Sequence, residues 1–188
     1  MAWDTELTKS RLLDAAAAEF AEYGYAGARI DRIGSRAGVN KERIYPYFGS
    51  KAGLFEAVVS NRMAHDLEEI PFSGTGPDAV ARFAGDYFDA AVSNPLLARL
   101  TAWEGLERSD PVGADERSAR AEVKVAEIQR VLPELSHQAA QDLLLTIVSL
   151  SHGWAAGRNV SRTITGDPND NSRRRAHVVA AVRAIASS

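Results

Sequence analysis

The 188-residue chain contains no cysteine, which excludes disulfides and thiolate metal sites. Long apolar runs are missing as well. The longest strongly apolar stretch, 143–150, is far too short to cross a bilayer, so no membrane association is expected. The opening MAWDTELTKSR carries acids where a secretory leader has cations, and no apolar run follows, so a cytoplasmic protein is expected. No strand-like alternation of useful length occurs. The four histidines, His65, His137, His152 and His177, are dispersed, and none has a His or Cys four residues on, so no metal or other cofactor is expected. Ser149, Ser151 and His152 share one segment, but no strand or sharp turn accompanies them to build a nucleophile elbow and oxyanion hole. An enzyme is therefore not expected.

The sequence does hold helical periodicity. Hydrophobic residues make up 45% and charged residues 25%, as in an ordinary globular protein, and the alanine content favours helix. About nine helices are expected. The first, about 5–23, carries Leu13, Ala16, Ala17 and Phe20 on one face and ends at Gly24. Two short helices follow, then a long fourth helix capped by Ser50 and running to about Glu69, closed by the turn cluster PFSGTGP. Further helices are expected at about 78–93, 95–108, 115–132 and 136–157. The segment VSRTITGDPND reads as a loop, and a last helix starts near 172.

The stretch Ala28–Lys51, ARIDRIGSRAGVNKERIYPYFGSK, is the most informative part of the chain. Ile30, Ile33 and Ala37 recur at helical spacing, and Gly38 follows where a helix C-terminus wants a left-handed residue. Val39 supplies an apolar plug, and Asn40 is a good N-cap for a second helix from Lys41. Helix, tight glycine turn, helix is the layout of a helix-turn-helix, whose second helix enters the DNA major groove. Between 25 and 51 six cations (Arg29, Arg32, Arg36, Lys41, Arg43, Lys51) face only Asp31 and Glu42, in a chain whose net charge is −3. A basic island on an acidic body fits a phosphate-facing surface.

From Thr8 to Phe55 the sequence resembles the N-terminal DNA-binding domain of the tetracycline-repressor (TetR) family. The resemblance rests on Leu13, Ala16, Phe20, Gly24, Ile33, Ala37, Gly38, Val39, Tyr45, Tyr47, Phe48, Ser50, Lys51 and Leu54. It implies an all-α protein with a three-helix helix-turn-helix domain at 1–50 and a larger helical ligand-binding and dimerisation domain at 51–188. Carried over by position, Lys41, Glu42 and Arg43 become base readers, and Tyr45, Tyr47 and Lys51 phosphate contacts. Arg29, opening the second helix, touches a phosphate or the groove edge. The chain departs from the family pattern in four places. Ala28 and Arg29 replace the usual hydroxyl cap of the second helix, Glu42 stands where a small residue is common, Pro46 lies inside the recognition helix, and Ala52 and Gly53 follow Lys51 where Glu is favoured. Pro46 is expected to distort that helix or end it early.

The resemblance further implies a dimeric regulator, released from a palindromic operator by a small, mostly apolar molecule. Phe83, Tyr87, Phe88, Trp103 and Trp154, spread over three helices, are the candidate ligand-pocket lining. The segment LLLTIVSLSHGW is apolar around most of its circumference, and the last helix carries a valine stripe. Together they predict a four-helix dimer seam through the last two expected helices, near Leu144, Val148, Val178, Val182 and Ile185. Pro46 and the missing cap favour one alternative, a helical interaction module with a weakened DNA-binding domain.

Overall fold

Two hydrophobic clusters organise the chain, and a short sixth helix bridges them. The structure is a computed structural model describing residues 2–68, 70–167 and 169–188, with side chains described outside 2–4 and 64–68. Among the described residues there are ten α-helices and no strand: α1 (Ala2–Gly27), α2 (Ile30–Ala37), α3 (Ile44–Phe48), α4 (Lys51–Glu68), α5 (Gly76–Ser93), α6 (Leu96–Glu107), α7 (Ala114–Val131), α8 (His137–Ala156), α9 (Arg158–Thr165) and α10 (Asn171–Ala186). A 3-10 turn at Lys41–Arg43 precedes α3. Among the described residues no helix is long and apolar enough to cross a membrane.

The first cluster joins Leu12, Ala16 and Phe20 of α1 to Ile33 of α2, Ile44 of α3, and Leu54, Phe55, Val58 and Val59 of α4. Leu100 of α6 and Val112 complete it. Leu12 rather than Leu13 is the fully buried leucine of α1. Phe55 meets Phe20 edge-on at 5.0 Å, an arrangement favoured by the ring quadrupoles.

The second cluster is centred on α5, which is buried through Ala79, Val80, Phe83, Ala84, Tyr87, Phe88 and Ala91. Around it lie α7 (Val125, Ile128, Val131), α8 (Leu143, Leu144, Ile147, Trp154) and α10 (Val178, Val182, Ala186). Ion pairs fasten α10 along α5: Arg175 to Asp86 and Asp89, and Arg183 to Asp78.

The expected elements are present with small shifts at their ends, and the expected end of the fourth helix, Glu69, lies outside the described residues. Two corrections matter. The segment expected as a loop holds a helix, α9, whose Ser161 faces inward while Val160 and Ile164 point to solvent. More important, the valine stripe of the last helix is not a free surface. Val178 and Val182 are 1% and 0% exposed, because α10 lays that stripe on α5. Leu144 is likewise core and Val148 half-buried against it, so of the five seam residues only Ile185 lies open. The exposed stripe of α8 is instead Leu145, Ser149, Gly153 and Ala156.

Candidate nucleic-acid interface

The turn between α2 and the recognition segment is fixed by backbone bonds that depend on Gly38. Its φ of 67° lies in the left-handed region, where a Cβ is disfavoured. With Gly38 so placed, its N–H donates to Ser35 O and the Val39 N–H donates to Gly34 O at 2.9 Å, a Schellman closure of α2. Val39 packs against the first cluster, and the Asn40 side chain accepts from the Glu42 N–H at 3.1 Å. The expected cap is therefore in place.

Residues 41–48 begin as a 3-10 turn and become α-helical at Ile44. Pro46 thus falls in the first turn of α3, where a helix leaves its N–H groups without intrahelical partners and proline costs little. The segment ends two residues later, at Phe48, where the Gly49 N–H donates to Tyr45 O. Ile44 is its buried anchor.

Lys41, Glu42, Arg43 and Tyr45 all project to solvent, with Tyr45 50% exposed. Tyr47 is half-buried, its ring tilted against Phe48 and packed on the first cluster. Of the two tyrosines, then, Tyr47 is the one that doubles as packing. Lys41 is not idle: its ammonium lies 2.9 Å from Asp31 on α2. Each partner favours the other's charged form, lowering the Asp31 pKa and raising that of Lys41.

Arg29 is the N-cap residue of α2, with an extended backbone and no side-chain cap bond, as its lack of a hydroxyl implies. A residue without any sequence signal answers this. Glu19 of α1 is 1% exposed, and its Oε1 accepts from the Arg29 N–H at 3.0 Å and from Arg32 Nε at 2.6 Å. A carboxylate at this end of α2 also suits the helix dipole. Arg32 further donates to Gly27 O and lies 4.3 Å over the Tyr23 ring. One of the six cations of the basic island is thereby spent on structure, while Arg29 and Arg43 are exposed with no ion pair among the described residues.

Lys51 is the first residue of α4, beside Ser50, whose Oγ accepts from the Gly53 N–H at 3.0 Å. The Lys51 ammonium donates to Ala26 O at 3.3 Å and sits 5.0 Å from the centre of the Tyr25 ring. Arg29, Lys41, Glu42, Arg43, Tyr45, Tyr47 and Lys51 thus all belong to the helix-turn-helix and its junction with α4.

A sequence model of bacterial regulatory proteins of the tetR family matches residues 12–58, and one for tetracyclin repressor-like C-terminal domains matches 79–184. The chain belongs to the TetR family. It is 37% identical over 157 residues to the HTH-type transcriptional repressor SCO4008 of Streptomyces coelicolor, spanning 81% of this chain and 80% of that protein. Among solved structures, the putative transcriptional regulator SCO4942 from Streptomyces coelicolor aligns with a TM-score of 0.74 at 29% identity, over 95% of this chain and 97% of that one. FadR from Bacillus subtilis, solved in complex with stearoyl-CoA, aligns with a TM-score of 0.69 at 19% identity, over 92% and 96% of the two chains, which is a likeness of fold. The protein is a DNA-binding transcriptional regulator and not an enzyme.

In the regulator's larger half, the five aromatic residues expected to line a pocket do not all meet. Phe83, Tyr87, Phe88 and Trp154 belong to the second cluster, whereas Trp103 on α6 faces α1 and donates to Ala21 O at 3.4 Å. Phe83 stacks on Phe72 at 4.2 Å, and the Tyr87 hydroxyl lies 2.8 Å from His152 Nε2. Burial pushes the His152 pKa down to about 4, so the ring is neutral at pH 7. The crevice bordered by Tyr87, His152, Ala91, Asn94, Leu97 and Ala98 is closed in this structure, with no room for a water-sized sphere. Ligand sites commonly run from about 300 Å³ upward.

Two further buried polar groups brace the larger half, and of these Lys124 escaped the sequence reading. Lys124 is 3% exposed, donating to Ile70 O at 2.9 Å and paired with Glu127. Glu104, also buried, accepts from the Val112 N–H and from Arg117, clamping the turn between α6 and α7. Neither sits in a sequence pattern that distinguishes it from an ordinary surface charge.

Proposed function

We propose that this protein is a dimeric, cytoplasmic repressor that binds a palindromic operator and is released from it by a small, mostly apolar molecule. The observation carrying the DNA-binding part is the Schellman-closed turn, which presents Lys41, Glu42, Arg43 and Tyr45 together on an exposed recognition segment. Lys41, Glu42 and Arg43 read base edges; Tyr45, Tyr47, Lys51 and Arg29 hold phosphates. Residues 1–50 act as the DNA-binding unit and 51–188 as the effector and dimerisation unit. The rival reading, an interaction module with a weakened DNA-binding domain, loses its motive. Pro46 occupies a tolerated position, and Glu19 takes over at the uncapped end of α2.

Dimerisation runs through the outward faces of α8 and α10. Leu145, at 63% exposure, heads a stripe continued by the small residues Ser149 and Gly153, and Ile185 lies open on α10. Small side chains let helices approach closely, and an isologous pairing of such faces gives a two-fold dimer matched to a palindrome. The effector enters beside Tyr87 and His152, opening the crevice between α5, α6 and α8. It shifts the regulator only by its preference for the DNA-incompetent arrangement. FadR of Bacillus subtilis, a fold neighbour, was solved with stearoyl-CoA, whose acyl chain is apolar although its CoA head is charged.

The test is selection of random duplexes with the purified protein, followed by salt titration on the winner. Steep loss of affinity with salt is expected, since cationic contacts release counterions. Lys51→Ala should weaken binding about equally on all sequences, and Arg43→Ala should change base preference at a cost of about 1–3 kcal/mol. Affinity indifferent to both sequence and salt refutes the proposal.

A further inference from the structure

α1 is broken close to its end, and the break is gripped from the far side by α6. At Gly24 the backbone turns to φ 71° and ψ 177°, a conformation a side chain resists. A methyl there would also meet the Trp103 ring at 2.9 Å and the Glu107 carboxylate at 2.7 Å. The break opens a new helical start over 25–28, marked by the Ala28 N–H donating to Gly24 O. An amide at such a start lacks its helical acceptor, and here the Ala26 N–H donates to Glu107 Oε2 at 3.0 Å. Glu107 is the last residue of α6, where the macrodipole disfavours an acid, so its own helix gives no reason for the charge. The reason lies across the junction.

The next residue, Arg108, places its guanidinium 5.5 Å from the centre of the Tyr25 ring, and its Nε has no hydrogen-bond partner among the described residues. The ring face lies within cation–π reach of this guanidinium. Lys51 lies over the same ring at 5.0 Å and donates to Ala26 O. The short segment Tyr25–Ala26 is thus held by Glu107 at the end of α6 and by Arg108 just after it, and it holds Lys51 in turn. Behind the latch, the Glu104 clamp with Val112 and Arg117 braces the end of α6 against α7. At its other end α6 reaches the crevice beside Tyr87 and His152 through Leu97 and Ala98.

We infer that Glu107 and Arg108 are positioning residues for DNA binding, fixing the Lys51 ammonium where it meets a phosphate. The inference rests on the phosphate role proposed for Lys51. An ammonium has three donors, so the bond to Ala26 O leaves two for DNA. If α6 shifts, the grip on Tyr25–Ala26 loosens and Lys51 loses its fixed place, with no change in the recognition segment itself.

The experiment is a double-mutant cycle on the full-length protein, using the duplex that the wild type selects. Glu107→Ala should lower affinity roughly tenfold and flatten the salt slope by about one, as Lys51→Ala does. The double variant should bind no worse than Lys51→Ala alone, since the two residues act in one chain of contacts. Glu107→Gln, which keeps an acceptor for the Ala26 N–H, should recover most of the loss. Arg43→Ala serves as the contrast, since its effect should add to that of Glu107→Ala. Additive losses for Glu107 and Lys51, or an unchanged salt slope in Glu107→Ala, overturn the inference. A Lys51→Ala variant that binds like wild type also overturns it, while DNA binding stands. A wild type that selects no duplex removes the DNA reading itself.

Discussion

Replacing Glu19 by glutamine keeps the shape of the side chain and deletes its charge, which separates two roles of this buried residue. In the native structure its carboxylate bonds the Arg32 Nε and the Arg29 N–H at 2.6 and 3.0 Å. Hydrogen bonds to a charged group contribute about 1.5–3 kcal/mol each and neutral ones about 0.5–1.5 kcal/mol, so two weakened bonds cost about 2 kcal/mol. Two effects reduce this figure. Burying an amide is easier than burying a carboxylate, and the Arg32 side chain, 40% exposed, can turn its charge to water. A net loss of about 1–2 kcal/mol remains, or roughly 2–8 °C in Tm for a chain of this size. DNA affinity should move the other way. Arg32 is released from its partner within the basic island and the net charge rises by one from −3, so affinity for non-operator duplex should increase and its salt slope steepen by up to about one. Calorimetry and salt-titrated anisotropy on one preparation read both quantities. An unchanged melting temperature together with an unchanged slope would refute the view that Glu19 anchors α2 and neutralises Arg32.

Three other outcomes are expected. Gly53→Ala gains helix propensity of about 1 kcal/mol, but its methyl would overlap Phe48 O, where α3 ends against α4. Net destabilisation of about 1–2 kcal/mol with weaker operator binding is therefore expected by denaturant titration, and a more stable variant with unchanged affinity would show that this contact yields. Val182→Asp buries a charge in the second cluster and should unfold the larger half, whereas Leu145→Asp should give a folded monomer; circular dichroism with light scattering distinguishes them. His152 titrates near pH 4 when folded against about 6.5 when unfolded, so the unfolded state binds more protons between those values and stability falls as pH drops through that window, by up to about 3 kcal/mol. His152→Phe should flatten the stability profile between pH 6.5 and 4.

The helical class, the turn at Gly38 and the basic recognition segment are legible in the residues alone, because these depend on local chemistry. Spacing of Ile30, Ile33 and Ala37, a left-handed glycine and an asparagine cap act within a few residues of one another and leave a direct trace. Family resemblance extended that reading to Lys51, whose place at a helix N-terminus is also local. Which face of each helix turns inward depends instead on how the helices pack together. The stripe of Val178 and Val182 has the same pattern whether it meets α5 or a second copy, and its burial follows from where α10 docks. α9 is short and amphipathic, and its tract reads as a loop because glycine and proline close behind it carry the stronger local signal. The partners of Glu19, Trp103 and Glu107 lie 10 to 82 residues away, so no pattern in their own segments marks them. A charge at the end of a helix or in the middle of α1 acquires its meaning from the backbone it meets, and that backbone is brought to it by the packing of α1 against α2 and α6.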